Sequence, residues 1–267
     1  MNDKKSATGP LGVESLFSLR GKTALITGGS RGIGLMIARG FVEAGVKVYI
    51  SSRKQAVCDE VAEALSHYGE CISIPADISN EDGLNTLANE IKARESALHI
   101  LVNNAGATWG AELGEFPASG FDKIFDLNVK AIFMLTQTLL PQLEASASTG
   151  DPARVINIGS IDGIKVPMVT NFSYSASKAA VHQMTRVLAV RLGGRNITVN
   201  AVAPGPFESK MTEWMLDNFQ DRIEQACPLG RIGQPEDMAG IAIFLASRAG
   251  AYLNGTVIPV DGGLAAV

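Results

Sequence analysis

Cysteine is scarce in this chain: Cys58, Cys71 and Cys227 are the three among 267 residues. Their odd number and wide spacing exclude a disulfide framework and a cysteine-based metal motif. A reducing, cytoplasmic setting is the matching expectation. Histidine is equally rare, and His67, His99 and His182 share no ligand spacing, so no metal is expected. No run of about 18 apolar residues occurs, which excludes a membrane-spanning helix. Positive charge is in deficit: the net charge of -4 argues against nucleic acid or an anionic membrane as a partner. The opening stretch "MNDKKSATGPLGVESLFSLRG" lacks the apolar centre of a signal peptide. Residues 1–15 read as a flexible tail and 16–267 as one domain, since no repeat, low-complexity segment or linker divides the rest.

What is present is an ordinary core-forming chain, 46% hydrophobic and 19% charged, with 28 glycines. Short β-branched runs lie at 22–27, 47–52, 71–76, 99–104, 154–160, 197–202 and 256–260. They are apolar without alternation, the mark of strands buried on both faces. Helical stretches fall between them at about 33–44, 54–67, 80–95, 119–145, 173–192 and 235–247. This rhythm predicts an α/β fold: a doubly wound, seven-stranded parallel sheet with helices on both faces. The least regular part, 204–234, holds Pro-containing turns and one further helix, and is placed to cover a ligand.

The first strand runs into "TGGSRGIG", Thr27 to Gly34. A glycine turn between a strand and a helix lets backbone approach a pyrophosphate, and the helix N–H groups face the anion. Its spacing, Gly28-x-x-x-Gly32-x-Gly34, differs from the common G-x-G-x-x-G fingerprint. An NAD site places an acid at the end of the second strand. Here Ser51 and Ser52 stand there, followed by Arg53, and Arg31 sits inside the glycine turn. Serine and arginine suit a 2′-phosphate that a carboxylate would repel, so NADP(H) is the expected cofactor.

In order along the chain come "TGGSRGIG" (27–34), "DI" (77–78), "NNAG" (103–106), "LN" (127–128), Ser160, "YSASK" (174–178), "PG" (204–205) and "DGG" (261–263). On these motifs the chain resembles the classical short-chain dehydrogenase/reductase family, with its Rossmann-type fold, over about 20–263. "ARVINIGSIDG", "RIGQPEDMA" and "GAYLNGTVIPVDGG" are most similar to its 3-oxoacyl reductase branch, of the rhamnolipid-biosynthesis type. The resemblance implies that Gly28, Ser30, Arg31, Gly32, Ile33 and Gly34 hold the pyrophosphate, with Ser52 and Arg53 at the 2′-phosphate. It implies Asp77 and Ile78 beside the adenine, and Asn103, Asn104, Ala105 and Gly106 along the cofactor. Pro204, Gly205, Phe207 and Ser209 would hold the nicotinamide. Asn128, Ser160, Tyr174 and Lys178 match the family's catalytic tetrad.

Tyr174 and Lys178 lie one helical turn apart on one face, with small residues between them that admit a flat cofactor. A free tyrosine titrates near 10, and a neighbouring ammonium is expected to draw it down toward a useful acid–base range. Tyr174 would then protonate the carbonyl oxygen, and Lys178 would also bind ribose hydroxyls. Ser160 would orient the same oxygen, and Asn128 would hold a water leading from Lys178 to solvent. Trp109, Trp214, Phe172, Met211 and Met215 are candidates for a substrate pocket, with core packing as the competing role. The expected activity is NADPH-dependent reduction of a ketone, with a 3-oxoacyl thioester as the leading class. The alternatives are a polyol, steroid or xenobiotic alcohol dehydrogenase, and a non-catalytic NADP-binding regulator. The resemblance implies a homotetramer or homodimer through the long helices. Arg191 and Arg195 could form a basic rim for an acyl carrier protein, but Glu144 and the absence of Lys or Arg in 139–149 weigh against that docking.

Overall fold

A computed structural model describes residues 10–267. The expected tail therefore falls mostly on residues outside the described ones, and its last three positions open a short helix, α1 (Val13–Phe17). Then β1 (Thr23–Thr27), α2 (Gly32–Glu43), β2 (Lys47–Ser51), α3 (Gln55–Ser66), β3 (Cys71–Ser73) and α4 (Glu81–Arg94) alternate. β4 (Ile100–Asn103) leads to α5 (Ala118–Phe125), a π turn (Asp126–Lys130), α6 (Ala131–Thr138) and α7 (Leu140–Ser146). β5 (Ala153–Ile158), a 3-10 turn (Ile161–Gly163), α8 (Phe172–Leu192), β6 (Ile197–Pro204), α9 (Glu213–Ala226), α10 (Pro235–Ala246) and β7 (Val257–Val260) complete the chain.

All seven strands pair in parallel in the order β3-β2-β1-β4-β5-β6-β7. The order reverses beside β1, between the β1–β2–β3 half and the half that begins with β4, which is where doubly wound sheets open a crevice. Ala24 and Ile26 of β1 face one core cluster with α2, α3 and α10, while Leu25 faces the other with α4, α6 and α8. Both faces being buried is the reason the strand sequences show no polar alternation.

The stretch expected as one helix over 119–145 is instead three helices and a π turn. Pro141 ends the run of α6, because its ring and missing N–H suit the start of a helix and not its interior. The π turn inserts one residue around Asn128. Where strand ends differ from expectation they differ by one to three residues, as at β3, which stops at Ser73.

A buried polar chain crosses the middle of the sheet. Asn103 donates to Thr136 (3.3 Å) and to Asn157 (2.9 Å), and Asn157 donates to Thr185 (2.9 Å). Asn103 is thus spent on strand pairing and does not line a cofactor with its side chain.

Candidate active site

β1 ends at Thr27, and the chain turns through Gly28 to enter α2 at Gly32. Gly28 (φ 67°) and Gly32 (φ 52°) occupy the left-handed region that a side chain disfavours. A Cβ on Gly34 would press into the Gly28 carbonyl and the Asn104 amide. Asn104 supports this turn from behind, donating to the carbonyls of Thr27 (2.9 Å) and Gly28 (3.2 Å). Its own N–H and that of Ala105 bond the Thr27 hydroxyl, each at 3.0 Å. The Asn104 amide nitrogen therefore shapes the turn. Ser30 is buried, Ile33 half-buried and Arg31 exposed at the N-cap of α2.

At the end of β2 the hydroxyls of Ser51 and Ser52 are buried without a hydrogen-bond partner. Such orphans are uncommon and point to a missing polar group. Arg53 is exposed like Arg31, and neither joins a salt bridge among the described residues. A glycine cradle at a helix N-terminus, orphaned serine hydroxyls and two free guanidinium groups fit a dinucleotide carrying an extra phosphate. Asp77 accepts from the N–H (3.1 Å) and hydroxyl (2.7 Å) of Ser79, which fixes a local turn, and Ile78 is buried in the core.

The segment after β6 folds back over the glycine turn. A Cβ placed on Gly32 would lie 3.0 Å from the Ser209 Cβ. Pro204 closes β6, and the Gly205 N–H bonds the Val260 carbonyl at 2.9 Å. Phe207 departs from expectation. Its ring is 2% exposed and packed on Gly233, so it anchors the segment in the core and leaves only backbone to face a ligand.

Ser160 follows β5, where its hydroxyl accepts the N–H of Asp162 at 3.1 Å. Tyr174 lies in the first turn of α8, half-buried, with Lys178 buried one turn on. Asn128 sits in the π turn, fully buried; such turns recur at functional sites. It donates to the Ala107 carbonyl and the Ser177 hydroxyl, both at 3.0 Å, and accepts the Ala107 N–H at 2.9 Å. Both of its side-chain N–H donors are thus used by the protein. Gly106 leaves room beside it: a Cβ there would lie 3.3 Å from Asn128 Oδ1 and 3.7 Å from Lys178 Nζ.

Burial pushes the Tyr174 phenol up to about 12; a hydrogen bond with Ser160 pulls it down and the Asp162 charge pushes it further up. In the chain without cofactor, burial thus sets the direction at Tyr174. The ammonium is directed at the Ile158 carbonyl, 2.8 Å away, and desolvation of the phenol dominates. Burial lowers Lys178 to about 8, against the pull of Asp162.

Asp162 and Asn171 stand beside these groups and were not singled out from sequence. The signal was present as Ser-x-Asp after a strand and Asn immediately before a helix, both turn and cap patterns. Of the pocket candidates, Trp109 packs on Gly120 and lies under Lys123 (5.3 Å), a packing role. Trp214 is 64% exposed against Phe219, and Met211 and Phe172 are also exposed. Arg195 pairs with Glu144, which removes it from any basic rim.

A family model described as "Enoyl-(Acyl carrier protein) reductase" matches residues 28–265. The rhamnolipids biosynthesis 3-oxoacyl-[acyl-carrier-protein] reductase of Pseudomonas aeruginosa is 50% identical over 249 residues, 92% of this chain and 97% of that protein. The RhlG/NADP active-site complex of the same organism superposes with a TM-score of 0.91 at 49% identity, over 94% of this chain and 99% of that one. A gluconate 5-dehydrogenase from Burkholderia cenocepacia in complex with NADP and tartrate gives a TM-score of 0.89 at 32% identity, over 96% and 100%.

Proposed function

The chain belongs to the short-chain dehydrogenase/reductase family, and we propose that it is an NADPH-dependent reductase of a ketone, with a 3-oxoacyl thioester as the substrate class. The observation that carries the reading is the placement of Tyr174 and Lys178 one turn apart at the start of α8, beside Ser160 at the end of β5. A phenol with a pKa near 12 is a proton donor at neutral pH, which is what carbonyl reduction requires. The relative at 50% identity is named for that reaction, and two solved neighbours hold NADP.

When bound, the reduced nicotinamide supplies the hydride. Gly28, Ser30, Gly32, Ile33 and Gly34 would cradle the pyrophosphate, and Ser52, Arg31 and Arg53 the 2′-phosphate. Asp77, Ile78, Ala105, Gly106, Pro204, Gly205 and Ser209 would border the rest of the cofactor. Ser160 would hold the substrate oxygen by a hydrogen bond, and Tyr174 would give it a proton as the carbonyl becomes an alkoxide. Lys178, near neutrality in its own titration, would restore that proton and bind the ribose. Asn128 would keep the 107 segment and Ser177 in register, which holds Lys178 in place.

The reading extends to a homo-oligomer through α6 and α8, whose Phe133, Val187 and Val190 are exposed. It extends also to a reducing cytoplasm, since all three cysteines are free. A sugar-acid dehydrogenase is the second reading, favoured by the likeness to the gluconate 5-dehydrogenase.

The test is NADPH oxidation with acetoacetyl-coenzyme A, a free 3-oxoester and 5-ketogluconate, for the wild type and Tyr174→Phe. Thioester turnover that falls by about 100-fold or more in the variant, with NADPH binding kept, supports the reading. Turnover of the sugar acid alone moves the protein to the second reading, and wild-type rates from Tyr174→Phe overturn the site.

A further inference from the structure

Ser160 and Tyr174 come from different elements, and the chain between them is a 3-10 turn followed by an irregular loop. Three hydrogen bonds to Asp162 close that distance. On the first side, the Ser160 hydroxyl accepts the Asp162 N–H at 3.1 Å, which pins the turn to the serine. On the second, Asn171 donates its side-chain N–H to the Asp162 carboxylate at 2.9 Å. Ser175, the residue after Tyr174, donates its hydroxyl to the Asp162 carbonyl at 2.5 Å. Asn171 is the N-cap residue of α8, buried to 6% exposure, and its backbone carbonyl accepts the Ser175 N–H at 3.0 Å. Asp162 thus holds the first turn of α8 from both its side chain and its backbone.

We propose that Asp162 is a positioning residue for Tyr174: with Asn171 it straps the turn after Ser160 to the start of α8. This rests on the reading of Tyr174 as the proton donor. A half-buried carboxylate with one neutral partner is costly unless it serves something. Its charge adds to burial in raising the phenol. The same charge keeps the Lys178 ammonium charged in its buried place.

Few other charges compete. Along α8 the phenol's neighbour is Lys178, and His182 beyond it is held neutral by burial, with a pKa of about 4. The turn after β5 presents Asp162. The π turn presents Asn128, while its Asp126 and Lys130 pair with each other at the surface, 3.4 Å apart. Lys123 of α5 lies over the Trp109 ring, and Lys165 of the loop bonds the Leu264 carbonyl.

The experiment is steady-state ketone reduction by the full chain between about pH 6 and 10, which spans the Lys178 titration at about 8. Wild type, D162N, D162A and N171A are compared, with Tm and NADPH binding measured for each. D162A and N171A are expected to lower kcat about tenfold or more, with NADPH affinity within about twofold, because a misplaced donor costs turnover more than binding. D162N can still accept from Asn171. It is expected to recover most of the kcat lost in D162A, and to move the alkaline limb of the profile to lower pH because the anion is gone. Where D162A fails to fold, the D162N profile decides. A D162N profile that superposes on wild type overturns the inference, as do D162A and N171A rates within about twofold of it. If Tyr174→Phe keeps turnover, the reading of the site itself has failed, a result that the Asp162 variants cannot produce.

Discussion

Lys178 points its ammonium at the Ile158 carbonyl, 2.8 Å away, and stands 5.4 Å from the centre of the Tyr174 ring. It is therefore tied to the carboxyl end of β5 and not hydrogen-bonded to the phenol. Strand end and helix are thus joined through one buried charge.

Lys178→Met removes that charge and leaves the Ile158 carbonyl without its partner. Turnover is expected to fall by about 100-fold or more, in the range of a lost acid–base group. Lys178→Arg should not restore it, because a planar fork does not fit the space of a point charge. Steady-state rates at neutral pH, with NADPH binding by fluorescence, check both.

Arg53→Asp places a carboxylate beside the orphaned hydroxyls of Ser51 and Ser52. A charge-assisted bond to phosphate is lost and a repulsion gained, about 1.5–3 kcal/mol. The ratio of NADPH to NADH in kcat/KM should fall by tenfold or more. An unchanged ratio would remove Arg53 from the cofactor site.

Gly34→Ala drives a methyl into the Gly28 carbonyl and the Asn104 amide. Backbone on one side leaves little room to relax, so a cost of about 1–3 kcal/mol is expected. Cofactor affinity should fall with it, because the phosphate cradle is what moves. Thermal melts with and without NADPH measure the two losses together.

His182 is held neutral: burial, with Lys178 and Arg186 nearby, lowers it from 6.5 to about 4. The unfolded chain takes up a proton below 6.5 that the native state refuses until about 4. Stability is therefore full above the unfolded value and lost as pH falls through this window, by up to about 1.4 kcal/mol per pH unit. Denaturant titrations across the window should show the slope in wild type, and His182→Gln should flatten it.

The alternation of apolar strands with helices, and the glycine turn after β1, were legible because both are local. Leu25 and Ile26 must be buried on opposite faces whatever lies above them. The π turn was not legible, because nothing in "DLNVK" forbids a continuous α-helix; Asn128 reaches Ala107 and Ser177 only once three segments have come together. The side-chain contacts of Asn104 and Phe207 were not legible for the same reason: both turn inward to support neighbouring backbone.

By itself the sequence determined the sheet, the place of the glycine turn, and the spacing that sets Tyr174 one turn from Lys178. These follow from period and backbone geometry over a few residues. Tertiary structure alone decided the charge state of the site. Whether a phenol titrates low or high depends on how much water is removed and which ions remain within reach. Here burial outweighs the hydrogen bond with Ser160, and Asp162, twelve residues before Tyr174 in the chain, adds to it.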